Sequence, residues 1–369
     1  MTRWFFAALF LCAGSAATAC PLCLGAFRSS VAQQLVDLPQ AVLAQPSADG
    51  LGYRVVAVIK GEQPSGEMIL TEAIHLDEVM DASATLLLVR GEEWSMWAGL
   101  GAVAAEHASW LRRVAAGKLP SDMNADEWRA HVALMLPYLE DREPLVAKIA
   151  YGELAAAPYA ALLAAKPRLA ASAIRRWLAD PQLMERQPLY LLLLGIAGDA
   201  ADATSLELRL EALWTAHEAT NLGPMIAADL QLRGPTRMAW VDTKYMGDRL
   251  RSTRELEGAL LALSVLGNAN GAILRERVIQ SYQLFMQEHK ELAGFVAWDL
   301  AAWQYWGAVP VYLALIKSNV RQDFKSRVAV FAYLRQSPVG NLVASDASEI
   351  SAPDQPTGGQ RSATSELPQ

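Results

Sequence analysis

The chain has 369 residues, with 39 acidic against 32 basic side chains and three cysteines. A net charge of -7 lacks the concentrated basic surface that nucleic-acid binding requires, and three cysteines are too few for a disulfide-dense miniature scaffold. With 53% hydrophobic and 19% charged residues, the balance is that of a folded protein of two or three domains.

Residues 1–19 read MTRWFFAALFLCAGSAATA. One cation, Arg3, precedes an apolar run from Trp4 to Ala13, and small residues follow to Ala17-Thr18-Ala19. That pattern predicts a secretory signal peptide with an A-x-A cleavage site; the run is too short for a bilayer span of about 20 residues. The expected location is therefore periplasmic or cell-envelope. Cleavage would remove Cys12 and leave Cys20-Pro21-Leu22-Cys23 at the start of the mature chain. Three readings stand for this pair. One is a structural disulfide in an oxidising compartment. Another is a redox CxxC at a helix N-terminus, although nothing precedes Cys20 to supply the strand of a βαβ frame. The third is lipid attachment at Cys20, since Ala17-Thr18-Ala19-Cys20 loosely resembles a bacterial lipobox without its usual Leu. Haem attachment would need His where Leu24 stands, and two thiolates fall short of a four-ligand zinc site.

Leu24 to Leu38 has Phe27, Val31 and Leu35 at helical spacing, closed by Pro39. Ala41 to Ala44 is a short apolar run, and Tyr53 to Ile59 is β-branched enough for a strand. Turn residues from Lys60-Gly61 to Ser65-Gly66 lead to a second run, Met68 to Thr71. Ala84 to Arg90 reads as a third and Trp94 to Trp97 as a fourth. Short strands with no long helix between them predict a small antiparallel barrel or sandwich within residues 20–100.

From residue 101 to about 338 the period is helical. Trp110, Leu111 and Val114 open it; Trp128, Val132, Met135 and Leu136 continue at helical spacing. Asp180-Pro181 marks a stop and restart, and Leu189 to Ile196 is apolar on every side, as in a helix buried all round. Leu206, Leu210 and Leu213 form a stripe with Glu207, Arg209 and Glu211 outside it, and Leu256, Leu260 and Leu263 form another. Leu274, Val278, Tyr282 and Phe285 make the next, followed by Phe295 to Trp306, Val311 to Ile316 and Val328 to Leu334. The segment from Leu194 to Asp199 resembles a HEAT-type repeat, echoed from Leu263 to Asn268. Such hairpins bury their faces only by stacking, so an irregular α-solenoid is expected, with a non-repetitive helical bundle as the alternative. The tail, 339–369, is rich in Ser, Ala, Pro, Gly and Gln and has too little apolar surface to offset ordering.

No HExxH, GxSxG, P-loop or EF-hand pattern occurs. The five histidines, His75, His107, His131, His217 and His289, lack metal-ligand spacing and read as exposed helix or loop residues. Gly99-Leu100-Gly101-Ala102-Val103-Ala104 fits G-x-G-x-x-A, but a dinucleotide site needs a strand directly before it and a parallel frame; these glycines read as an interdomain joint, and no cofactor or metal is expected. Phe295, Trp298, Trp303 and Trp306 crowd one segment and could anchor a partner or pack inside. Arg175-Arg176 and Arg249, Arg251 and Arg254, interleaved with acids, read as solvated faces.

The order Cys20-x-x-Cys23, a helix, Ala41 to Ala44, Tyr53 to Gly61 and Leu86 to Val89 resembles the netrin/TIMP-like OB-barrel pattern, in which a cysteine motif precedes an apolar segment and a strand ending in Lys-Gly. It covers residues 20–100. The chain has CxxC where that family has CxC, and lacks its later cysteines, so metalloproteinase inhibition does not carry over. The whole layout also resembles exported bacterial proteins of unknown function with an N-terminal Cys-Pro-x-Cys motif and HEAT-like helices. The expectation is an α+β, multidomain, non-enzymatic envelope protein that binds a protein partner through its helical surface. Lipidation of Cys20 would add membrane association. The alternative is a thiol-disulfide oxidoreductase or redox sensor using Cys20 and Cys23.

Overall fold

The computed structural model describes residues 30–47, 52–64, 84–91, 97–318 and 320–338. The signal segment, Cys20, Cys23, His75, the run Met68 to Thr71 and the tail lie outside them. The described chain is mostly helical with one small antiparallel sheet, and it divides into two compact units at Val278/Ile279.

The first unit opens with α1 (Val31–Asp37), shorter than the predicted helix among the described residues. Ser30 caps it, its hydroxyl accepting the Gln33 N–H while the Gln33 side chain accepts the Ser30 N–H. The sheet follows: β1 (Gln40–Pro46), β2 (Tyr53–Lys60), β3 (Leu86–Arg90) and β4 (Ala98–Ala102), in spatial order β2-β1-β3-β4 with every pairing antiparallel. Among the described residues β2 and β4 are opposite edges, an open sheet. Ala41 to Ala44 and Leu86 to Val89 are buried on both faces, which explains why they read as continuous apolar runs rather than alternating ones. Val42, Ala44, Leu86, Leu88 and Trp97 pack together on one face with Tyr53 and Val55.

Two features of the sheet are explained locally. Lys60 Nζ donates to the carbonyls of Leu35, at 3.2 Å, and Val36, satisfying the open end of α1. Gly61 then has a φ of +79°, and a Cβ there would lie 2.5 Å from the Pro39 carbonyl oxygen. The Lys-Gly ending that carried the family resemblance is thus a helix cap followed by an obligatory glycine. Of the predicted fourth strand, Trp94 to Trp97, only Trp97 lies within the described residues, where it leads into the strand Ala98–Ala102. The G-x-G-x-x-A match therefore begins inside an antiparallel strand. Gly101 (φ +141°) faces Leu145, whose Cδ2 would lie 3.3 Å from a Cβ at that position.

The remaining helices of this unit are α2 (Ala108–Ala115), α3 (Ala125–Met135), α4 (Pro144–Ala156), α5 (Tyr159–Ala164), α6 (Ala171–Ala179), α7 (Gln187–Ala197), α8 (Ala200–Ala216), α9 (Leu222–Arg233), α10 (Met238–Val241) and α11 (Thr253–Ala269). α2 lies on β2, with Arg112 Nε donating to the Val58 carbonyl at 2.8 Å. Farther along, α7 packs on α9 and α9 on α11, while α6 and α8 flank this row. Every residue from Leu189 to Ile196 is buried, as its composition predicted. The close approach of α7 and α9 depends on Gly195: a Cβ there would sit 2.6 Å from Ala228 Cα. A one-turn π-helix, Asp242–Met246, follows α10.

The unit boundary falls within α12 (Arg275–Glu288). Leu274, expected in its apolar stripe, precedes the helix and is exposed. The second unit contains a 3-10 segment (Lys290–Val296), α13 (Ala297–Ala302), α14 (Val309–Lys317) and α15 (Phe324–Gln336). Of the helical segment expected from Phe295 to Trp306, α13 covers Ala297–Ala302 and a turn follows it. Gln304 takes a positive φ of 54°, and Tyr305 N–H closes on the Leu300 carbonyl at 2.9 Å, ending α13 in a left-handed turn without glycine. α15 packs against the 3-10 segment and α13.

Candidate functional site

The four aromatics singled out in sequence do not form one exposed surface. Trp298 is 55% exposed at the start of α13. Trp303 is half-buried, stacked on Tyr282 with ring centroids 5.7 Å apart and planes 6° apart. Trp306 packs on Tyr333 at 5.2 Å, and Phe295 is half-buried in the 3-10 segment. The left-handed turn at Gln304 after α13 separates them. Cys20 and Cys23 lie outside the described residues.

The chemistry that sequence reading missed lies in the first unit, in two Ser/Glu/His clusters. In one, Ser30 Oγ donates to Glu153 Oε1 at 2.7 Å, and His131 Nε2 lies 2.8 Å from Glu153 Oε2. Glu153 and His131 are both buried, on α4 and α3. In the other, Ser252 Oγ and N–H donate to Glu255 Oε2 at 2.7 and 2.8 Å, and Arg251 Nη1 to Oε1 at 3.0 Å. His217 Nδ1 lies 3.8 Å from the same carboxylate. Burial penalises the Glu255 charge, but the two Ser252 hydrogen bonds, with Arg251 and His217, outweigh it and hold the carboxyl below its ordinary value.

In both clusters the carboxylate stands between serine and histidine. A nucleophilic serine needs its proton taken by the histidine, with the acid behind the histidine. Here each hydroxyl is donated to the carboxylate instead, so the clusters act as helix caps and joints. Three histidines expected at the surface, His107, His131 and His289, are buried. Among the described residues no three His, Cys, Asp or Glu side chains are placed to share a metal ion.

Above the second cluster opens a cleft of about 460 Å³ lined by His217, Glu218, Ala219, Thr220, Ser252 and Arg254. It sits where α8 ends, with His217 in a left-handed turn (φ 56°), and where α11 begins. In the basic patch beside it Arg249 and Arg254 are exposed as expected, but Arg251 is buried, held by Glu255, by Asp248 at 2.9 Å and by the Trp214 carbonyl. Arg175 and Arg176 are exposed, and Arg175 also bonds Asp202 and Asp199 across α6 and α8.

A ladder of charges continues along α8. Glu207 receives Arg233 at 2.7 Å and Arg237 at 3.0 Å, and both arginines also bond the buried Asp229. Glu211 receives Trp240 Nε1 at 2.7 Å and Lys244 at 3.1 Å, and Lys244 lies over the Trp214 ring. The Trp240 and Lys244 hydrogen bonds hold the Glu211 carboxyl below its ordinary value. These residues, read in sequence as an outer polar face, tie α8 to α9 and to the π-helix. No family model, no curated protein and no solved structure matches the chain.

Proposed function

We propose that the protein is a non-enzymatic binding or scaffold protein of the cell envelope that offers the surface of its helical body to a protein partner. The observation that carries this reading is the row α7, α9 and α11, with Leu189 to Ile196 and Leu222 to Leu230 buried throughout and α6 and α8 layered on it. Such a row forms its core between successive helices and leaves the outer ones as a continuous surface. On that ground the helices are read as an irregular HEAT-like solenoid, and the sheet as part of an OB-like barrel. On α8, Leu208 is 69% exposed and supplies apolar area on the outer layer. The use of both Ser/Glu/His clusters as caps supports binding over hydrolysis.

Affinity isolation of the tagged chain from envelope extract tests this. A partner in stoichiometric amount is expected, and Leu208→Arg should lose it. Recovery of no specific partner, together with turnover of a substrate by the purified chain, would overturn the reading. The Cys20/Cys23 pair sustains the alternative of thiol exchange; mixed disulfides trapped at Cys20 in a Cys23→Ser chain would favour it.

A further inference from the structure

α15 is apolar on two faces, and only one of them is covered. Ala329, Val330, Tyr333 and Leu334 are buried. Phe324, Val328 and Phe331 are 70%, 47% and 38% exposed, and their spacing of four and three residues aligns them in one outward stripe. Three anchors fix this orientation. Asp323 caps the helix, accepting from Lys325 N at 2.8 Å and Ser326 N at 3.3 Å. Ser326 Oγ receives the Gly294 N–H at 2.8 Å, and Tyr333 OH donates to the Tyr305 carbonyl at 2.6 Å. Rotating α15 to bury Phe331 would break the last two.

The charges beside the stripe are predominantly basic. Lys317, Arg321, Lys325, Arg327 and Arg335 are all exposed, and the acid between Lys317 and Arg335 is Asp323, engaged as the cap. In a chain of net charge -7 this is a local reversal. Apolar side chains aligned along a helix and bordered by Lys and Arg match the interface of an anionic bilayer, where acyl boundary lies beneath phosphate headgroups.

We propose that the outer face of α15 docks on an anionic lipid surface, with Phe324, Val328 and Phe331 entering the acyl boundary and Lys325, Arg327 and Arg335 meeting the phosphates. At 13 residues α15 is too short to span a bilayer, so it lies in the interface. A second copy of the chain fits poorly, because an α15–α15 contact would bring like charges together. An acidic protein segment shares the charge complement. The stripe, however, is a ridge on one helix, a shape that a deformable surface receives without a matching groove.

Vesicle flotation of residues 20–369 carrying Cys20→Ser, so that no acyl group contributes, tests the proposal. The chain should float with phosphatidylethanolamine–phosphatidylglycerol vesicles and not with phosphatidylcholine, and added salt should release it. Arg327→Gln or Arg335→Gln should each weaken partitioning about fivefold. The triple variant Phe324→Ser, Val328→Ser, Phe331→Ser should abolish it while keeping the wild-type thermal transition, since all three side chains are exposed. Equal flotation on both vesicle types, or flotation of the triple variant as wild type, would overturn the proposal. Capture of an acidic amphipathic helical peptide without flotation would also overturn it. Leu208→Arg should float as wild type, so failure here is distinguishable from failure of the protein-partner reading.

Discussion

α7 and α15 are both rich in large apolar residues, yet the structure uses them differently. Around α7, neighbours cover every side from Leu189 to Ile196, and Gly195 lets α9 approach to backbone contact. Around α15, Ser326 and Tyr333 lock one face inward and hold Phe324, Val328 and Phe331 in solvent. Apolar content alone therefore does not separate the core from an exposed face. What separates them is whether fixed hydrogen bonds and neighbouring helices leave the side chain anywhere to go.

Truncation should show the contrast at its largest in α7. Leu192→Ala removes a fully buried side chain and should cost roughly 3–5 kcal/mol in a urea melt. A loss under about 1 kcal/mol would mean that the row can collapse around the gap. Next comes the capping cluster at α11. Glu255→Ala removes one of the two carboxylates that hold the buried Arg251, together with the acceptor of Ser252, and should cost about 2 kcal/mol. The same cluster should respond to pH. Glu255 and Glu211 titrate below their ordinary values when folded, and Asp202 does too because Arg175 bonds it. Groups depressed in this way add stability above the unfolded pKa and lose it as pH falls through the folded one. The melting temperature should therefore hold near neutrality and fall from about pH 5 downward; a rise in that window would contradict the assignment. The smallest effect belongs to α15, where Phe331→Ser should change stability by no more than about 0.5 kcal/mol. A loss as large as that of Leu192→Ala would make the stripe part of the core and end the comparison.

Elements decided by local pattern were legible in the sequence. The strand at Tyr53 to Ile59, the stop at Asp180-Pro181 and the all-round burial of Leu189 to Ile196 follow from composition and spacing. Ala98 to Ala102 did not read as a strand because Ala-Gly-Leu-Gly-Ala has little intrinsic strand preference and is extended by pairing with β3. The turn at Gln304 carried no glycine or proline to announce it. The clusters were hidden for another reason. Ser30 meets Glu153 across 123 residues, and Arg233 meets Glu207 across 26. Side-chain pairs between helices are set by packing, so Glu207, Glu211 and Arg251 looked like solvated charge until their partners were in view.

The central claim is that the layered helices exist to hold a partner at their surface. Site-specific photo-crosslinking in intact cells, with a photoreactive side chain replacing Leu208 on α8, tests it most directly. The account predicts one discrete adduct with an envelope protein. A chain that is folded and located in the envelope and yields no adduct from that position would contradict it.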